Sequence, residues 1–355
     1  MECVSHLNST DYYSAFCEKA ISMRVPLSGA LEVTHKCNLR CAHCYVGPAR
    51  YSVQQDEMGK EQIFRLLDEI CDAGCLHLLI TGGEPLMRPD FCEIYEHAKR
   101  KGMILTVFTN GTLITRKILD LFSDLPPKVA EISLYGATPE TYEAVTGIQG
   151  SYRSCIRGIE NLLGRGINVA LKTMLMSVNS HEFYEIERIA KSYGVKFRFD
   201  AALFPRFDQD RFPISLRVPV EEAIDKEFSD VNRLTEWKTF IGRNRTANTG
   251  DRLYSCGAGV SSFHIDAEGF LMPCLMVRHF KYDLRSGRFD EGWQTMAHLG
   301  DIKAANGHRC LDCSTNAFCD YCPAFFLLEE GDENLPSDYL CRLGKARSSV
   351  VMNLQ

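Results

Sequence analysis

The chain has 355 residues and a net charge of −6, and 16 of its residues are cysteines. That length accommodates a barrel and a second unit. The slightly acidic balance excludes a basic surface for nucleic acid or anionic lipid. Met1 to Ala20 carries acidic residues and no long apolar stretch, so no signal peptide is expected. No apolar run reaches about 18 residues, so no spanning helix is expected.

A chain of cytosolic character does not need eight disulfides, so the cysteine count points to metal ligation. Ten cysteines fall into two sets with ligand-like spacing. The other six (Cys3, Cys17, Cys71, Cys75, Cys92 and Cys155) are scattered and read as small apolar residues.

Residues 1–28 carry few signals and read as a lead-in helix. From Gly29, strand-like and helix-like segments alternate. Strands are expected at 31–34, 76–81, 104–108, 129–134, 169–175 and 196–200. Helices are expected at 60–73, 90–101, 115–123, 151–165 and 181–193, where apolar residues recur at three- and four-residue spacing. Gly74, Gly102, Gly166 and Gly194 follow four of these helices, where a C-terminal cap favours positive φ. Six strands with helical crossovers make a parallel α/β sheet with right-handed connections. It either closes as a partial barrel or lies open as a doubly wound sheet.

The loop after the first strand reads Cys37-Asn38-Leu39-Arg40-Cys41-Ala42-His43-Cys44-Tyr45. Three thiolates on one short loop can hold three irons of a [4Fe–4S] cluster and leave the fourth open to a chelating ligand. The alternative is a zinc site with His35 or His43 as fourth ligand. Thr81-Gly82-Gly83-Glu84-Pro85 follows strand 2. Its glycine pair lets a ligand approach the backbone, and Glu84 brings a carboxylate near the cysteine loop. Thr109-Asn110-Gly111 ends strand 3 and reads as a tight turn. Ser133-Leu134-Tyr135-Gly136 ends strand 4, and Ala137-Thr138-Pro139-Glu140 leads into a further helix. Lys172 lies on strand 5 and Asp200 ends strand 6. Both are candidates for cofactor binding or proton handling, and Arg198 and Asp200 can equally pair with each other.

Residues 205–255 break the rhythm, with prolines, a helix near 220–231 and a basic stretch around Arg243–Arg252. The last third is cysteine-rich. Cys256, Gly269 and Cys274 are followed by Cys310, Cys313, Cys319, Cys322 and Cys341. Seven thiols nearly suffice for two four-iron clusters. A four-thiolate zinc site of Cys310, Cys313, Cys319 and Cys322 is the alternative, and spacing alone does not separate the two.

Cys37, Cys41 and Cys44 with Tyr45 resemble the signature of the radical S-adenosylmethionine (SAM) enzymes. Gly82, Gly83 and Glu84 resemble that family's GGEP motif, whose backbone binds the SAM ammonium. Ser133 stands where relatives hydrogen-bond SAM. Tyr135 stands where many have Asp, a departure that bears on the substrate cavity. The C-terminal order resembles the SPASM domain, except that two residues rather than three separate Cys319 from Cys322. The resemblance implies a partial (β/α)6 TIM-like barrel followed by a small iron–sulfur domain. The divisions expected are a lead-in at 1–28, the barrel at 29–204, a bridging region at 205–255, the auxiliary-cluster domain at 256–345 and a tail at 346–355.

The resemblance further implies a [4Fe–4S] cluster on Cys37, Cys41 and Cys44. SAM is expected to lie near Gly82, Gly83, Glu84, Ser133, Tyr45 and Lys172, with Asp200 and Tyr135 as catalytic candidates. One auxiliary cluster is expected on Cys256, Cys274 and Cys322, and an outer one on Cys310, Cys313, Cys319 and Cys341. The implied activity is reductive cleavage of SAM to a 5′-deoxyadenosyl radical that abstracts hydrogen, with the auxiliary clusters accepting the electron left on the substrate. The leading substrate is a ribosomally made peptide or a protein side chain. Tetrapyrrole modification is the alternative, since haem-pathway relatives share the C-N-L-x-C-x-H-C-Y loop. A non-catalytic electron carrier is a third class, which the intact GGEP motif argues against. A flavodoxin or ferredoxin is the expected reductant, a separate peptide carrier an expected partner, and the cytoplasm the expected compartment.

Overall fold

The structure is a computed structural model that describes residues 9–47, 56–243 and 250–353. Cys3 and much of the basic stretch near Arg243–Arg252 lie outside the described residues. After α1 (Ser9–Ser22), strands and helices alternate: β1 (Ser28–Glu32), α2 (Lys60–Asp72), β2 (His77–Thr81), α3 (Phe91–Arg100), β3 (Ile104–Thr109), α4 (Arg116–Asp124) and β4 (Val129–Ser133). Two helices, α5 (Pro139–Thr146) and α6 (Ser151–Gly164), precede β5 (Val169–Met174), α7 (Phe183–Ser192) and β6 (Lys196–Asp200). Then come α8 (Val220–Glu227), α9 (Val231–Arg243), β7 (Ser262–Ile265), β8 (Phe270–Met272), β9 (Tyr282–Asp283), α10 (Phe289–Thr295), α11 (Pro323–Glu330) and α12 (Asp338–Asn353).

The six alternating strands pair in parallel, consecutive in sequence, as the partial barrel requires. Side chains alternate across them. Leu31, Leu78, Ile80, Leu105, Val107, Ala130, Ile132, Val169 and Leu171 form the main core with the helices. The alternate positions, including Glu32, Glu131, Ser133 and Lys172, face the barrel interior. Gly74, Gly102, Gly166 and Gly194 all take positive φ. Thr138 caps α5 by accepting the Thr141 N–H, with Pro139 in the first turn, and Gly147 ends the helix in the left-handed region.

Two features depart from expectation. The first strand lies at Ser28–Glu32 rather than 31–34, because it is paired on both sides. One neighbour is β2 and the other is β7, from the cysteine-rich third. Gly29 makes this possible: a Cβ there would lie 2.1 Å from the Phe263 ring. The sheet therefore continues past β1 through β7, β8 and β9, nine strands in all, with β8 and β9 antiparallel. The last third also returns to the barrel through α10, whose Phe289 and Trp293 join the main core beside Phe263. A second core gathers Phe183, Val220, Ile224, Phe325, Phe326, Leu340 and Leu343, joining α7 and α8 to α11 and α12. Among the described residues, no helix is long and apolar enough to cross a membrane.

Candidate functional site

The three-thiol loop leaves the C-terminal end of β1, the end where parallel barrels gather their chemistry. Cys37, Cys41 and Cys44 are half-buried on it, and Leu39 is buried between them. The loop is bound at several points. Its Arg40 and Ala42 N–H groups donate to the carbonyls of Thr146 and Val145, at 2.8 and 2.9 Å, at the end of α5. The Arg206 guanidinium donates to the carbonyls of Ala42 and Cys44 at 3.1 and 3.3 Å. Asn110 Nδ2 donates to Asn38 Oδ1 at 2.9 Å, and Asn38 Nδ2 donates to Thr112 at 2.8 Å. The Leu39 N–H donates to Cys37 Sγ at 3.4 Å, which favours a thiolate there. His35 turns to Glu32 and Glu268, while the His43 ring meets Tyr135 edge-on at 4.6 Å.

The Gly82–Gly83 turn abuts this loop. The Gly83 N–H donates to Thr34 O at 2.7 Å and the Glu84 N–H to Lys36 O at 2.8 Å. Gly82 has φ +143°, and a Cβ there would lie 2.3 Å from Thr34 O. A Cβ on Gly83 would lie 2.3 Å from Lys36 O. The pair thus admits the backbone leading into the cysteine loop, a use of the glycines that the sequence reading assigned to a ligand. The Glu84 side chain is held by the turns after β2 and β3. It is fully buried and accepts from Thr109 Oγ1 at 2.7 Å, Asn110 N at 2.7 Å and Leu86 N at 3.1 Å. Burial outweighs these bonds and pushes the carboxyl up to about 7. Its oxygens are engaged by the β3 turn and are not presented to the cysteine loop.

Ser133, Tyr135 and Lys172 lie around the inner face below the loop. Burial holds the Tyr135 phenol well above its ordinary range, and Cys41 and Cys44 are among its neighbours. Lys172 Nζ sits 3.3 Å from Glu131 and 3.2 Å from the centre of the Phe108 ring. Burial depresses this amine to about 8, against the pull of Glu131. Arg198 donates to Glu131 at 3.0 Å. The alternative Arg198–Asp200 pair does not form, because Glu131 across the sheet takes the guanidinium. Asp200 instead accepts the Ala202 N–H at 2.7 Å and lines a recess of about 450 Å³ at the open β6 edge. Trp237, Phe240, Asp320 and Arg347 also border that recess. Tyr45 lies against Phe204 and Phe207, with ring centres 5.8 and 5.1 Å away, and its carbonyl accepts the Phe207 N–H at 2.9 Å.

The C-terminal thiols separate into two places. Cys310, Cys313, Cys319 and Cys341 border one small cavity of about 30 Å³ together with Thr315, Asn316 and Lys345. Cys322 faces the other way. Its neighbours are Cys274 and Cys256, and burial pushes it up to about 12. It caps α11, accepting the Phe325 N–H at 3.4 Å, so the helix N-terminus is ready to stabilise its thiolate. Cys274 likewise accepts the N–H groups of Met276 and Val277 while burial raises it. Half-buried thiols held by N–H donors suit metal ligation, since a bound metal supplies the charge that ionises them. Among the described residues, no three His, Cys, Asp or Glu side chains stand close enough to ligate a single ion.

Sequence reading missed Arg206, which carried no local signal in a polar bridging stretch. It also missed the Asn38–Asn110 bond. Both residues lie in motifs already singled out, but their pairing requires β1 and β3 to flank β2 in the sheet.

The model of the radical SAM superfamily matches residues 31–191. Residues 31–191 are a radical SAM domain. The antilisterial bacteriocin subtilosin biosynthesis protein AlbA of Bacillus subtilis is 28% identical over 263 residues, 71% of this chain and 55% of AlbA. An AdoMet-dependent heme synthase of Nitratidesulfovibrio vulgaris is 24% identical over 335 residues, 88% of this chain and 91% of that enzyme. The chain spans about half the length of several curated relatives it matches, AlbA among them. Streptococcus suis SuiB, solved bound to its precursor peptide SuiA, superposes over 96% of this chain and 83% of its own, with TM-score 0.69 and 14% identity. That likeness shows the fold alone: a partial barrel whose sheet runs on into a cysteine-rich C-terminal region.

Proposed function

We propose that the chain is a radical SAM maturase acting on a peptide or protein side chain. The observation that carries the reading is the three-thiol loop at the C-terminal strand ends, bound to the Gly82–Gly83 turn. Cys37, Cys41 and Cys44 would hold the [4Fe–4S] cluster, with SAM placed by the 82–84 backbone and Ser133. Reduction of such a cluster with SAM bound supplies a 5′-deoxyadenosyl radical and methionine.

The chain's own residues prepare the space around it. Arg206 and the end of α5 hold the loop in place. Tyr135 walls the cavity with a phenol that burial keeps protonated. Tyr45, Phe204 and Phe207 shield the loop's far end from water. Lys172, near a pKa of about 8, carries a proton at Nζ and offers a cation to a carboxylate on SAM or substrate. Asp200 borders the recess at the β6 edge, whose lining includes none of the cysteine-loop residues. Cys310, Cys313, Cys319 and Cys341 would hold one auxiliary cluster, and Cys256, Cys274 and Cys322 another. A flavodoxin or ferredoxin is the proposed reductant, a cytoplasmic setting follows from the oxygen sensitivity of such clusters, and a separate carrier delivers the peptide.

Tetrapyrrole modification is the second reading, favoured by the heme synthase match along 88% of the chain. One experiment separates the two. Reduced, reconstituted enzyme is given anaerobic host lysate before and after protease treatment, and 5′-deoxyadenosine is measured. Stimulation destroyed by protease supports the maturase. Stimulation that survives protease favours tetrapyrrole or other small-molecule chemistry.

A further inference from the structure

Cys256, Cys274 and Cys322 supply three thiolates, one fewer than a fully ligated four-iron cluster requires. We propose that the Met276 thioether is the fourth protein ligand of this site, an inference that rests on reading the site as an auxiliary cluster. Met276 Sδ lies 3.8 Å from Cys322 Sγ. Met276 is two residues beyond Cys274, and the Cys274 sulfur accepts the N–H groups of Met276 and Val277. This turn brings the Met276 side chain back toward the thiols. Cys274, Met276 and Cys322 pack on one apolar cluster built around Leu253, Tyr254, Val277 and Ala324.

Among the described residues, several polar side chains nearby have other partners. The Tyr254 hydroxyl donates to Glu333 at 2.6 Å. The Tyr321 hydroxyl donates to Leu253 O at 2.9 Å and meets His308 Nε2 at 3.2 Å. His279 lies 3.2 Å from Glu333. The thioether is the soft donor left facing the thiols, and soft sulfur suits iron–sulfur centres. Its three rotatable bonds let Sδ move away from Cys322 as cluster irons come between them. Ligation uses a sulfur lone pair, so no proton is released and no electron moves. Three thiolates and a neutral sulfur leave the cluster one negative charge short of four thiolates, which raises its reduction potential. The same weak donor is the ligand most readily displaced by a substrate group.

The test uses the full chain, labelled with selenomethionine and reconstituted anaerobically without SAM, and read by selenium-edge X-ray absorption. One of the 11 methionine positions is expected to have iron at bonding distance. That signal is lost in Met276→Leu, a swap that conserves volume. Met276→Cys is expected to retain the iron and lower the auxiliary midpoint potential. Iron counts in Cys274→Ala keep the two readings apart. Loss of one cluster's iron there, with no selenium–iron contact in the parent protein, overturns the Met276 assignment alone. Unchanged iron in Cys274→Ala overturns the cluster reading of the site itself.

Discussion

Glu84 Oε2 accepts the Asn110 N–H at 2.7 Å, while Asn110 Nδ2 donates to Asn38 Oδ1 at 2.9 Å. Three segments distant in sequence, the cysteine loop and the turns after β2 and β3, are thereby joined into one polar seam. The carboxyl at its centre has its folded pKa raised to about 7 by burial. The folded state then binds more protons than the unfolded chain between about pH 4.5 and 7. Stability from this group is therefore full below its unfolded pKa and lost as pH rises through 7. Urea midpoints of the wild type should fall across that window by the equivalent of about 3 kcal/mol, and Glu84→Gln should flatten the slope. Equal slopes in the two proteins would contradict the placement of Glu84.

Gly83→Ala drives a methyl into the carbonyl of Lys36, 2.3 Å away. Backbone cannot yield as a side-chain tip does, so a loss on the order of 3 kcal/mol is expected. The cysteine loop should be displaced with it. Thermal unfolding and iron retention of the variant check this together, and near-wild-type values in both would refute the close approach.

Arg206→Ala removes two hydrogen bonds to loop carbonyls, each worth roughly 1–2 kcal/mol. The loop cluster should assemble poorly, while the auxiliary iron stays at wild-type levels. Iron and sulfide analysis of Arg206→Ala, made in a background with Cys37, Cys41 and Cys44 intact and again with them removed, isolates the loop's share.

Lys172→Met leaves Glu131 paired with Arg198, so folding should survive. The amine's folded pKa, near 8, lies below that of the unfolded chain. The folded state binds fewer protons in between, so stability from the neutral amine grows as pH rises from about 8 toward 10.5. The pH profile of 5′-deoxyadenosine formation should inflect near 8 in the wild type and lose that inflection in Lys172→Met.

The strand–helix alternation was legible because helices and strands carry different periods, and glycines such as Gly74 and Gly102 punctuate them at positive φ, whereas closure into a partial barrel came from the family resemblance. The thiol spacing pointed to two ligand-rich regions for a similar reason, since ligands on short loops must lie close in sequence. What was not legible depends on distant parts of the chain. The β7 strand spans only Ser262–Ile265 in a turn-rich stretch, and its pairing with β1 is a tertiary choice made by Gly29 and Phe263. The partners of the Glu84 side chain were not legible either, because nothing local showed that Thr109 and Asn110 would enclose it.

The most direct test measures 5′-deoxyadenosine from the anaerobically reconstituted, reduced protein given SAM, beside Cys41→Ala with iron counted in both. The account predicts 5′-deoxyadenosine from the wild type and none from Cys41→Ala, which keeps its auxiliary iron because separate segments hold those thiols. Formation of 5′-deoxyadenosine by Cys41→Ala, or its absence from wild-type protein with full iron, would contradict it.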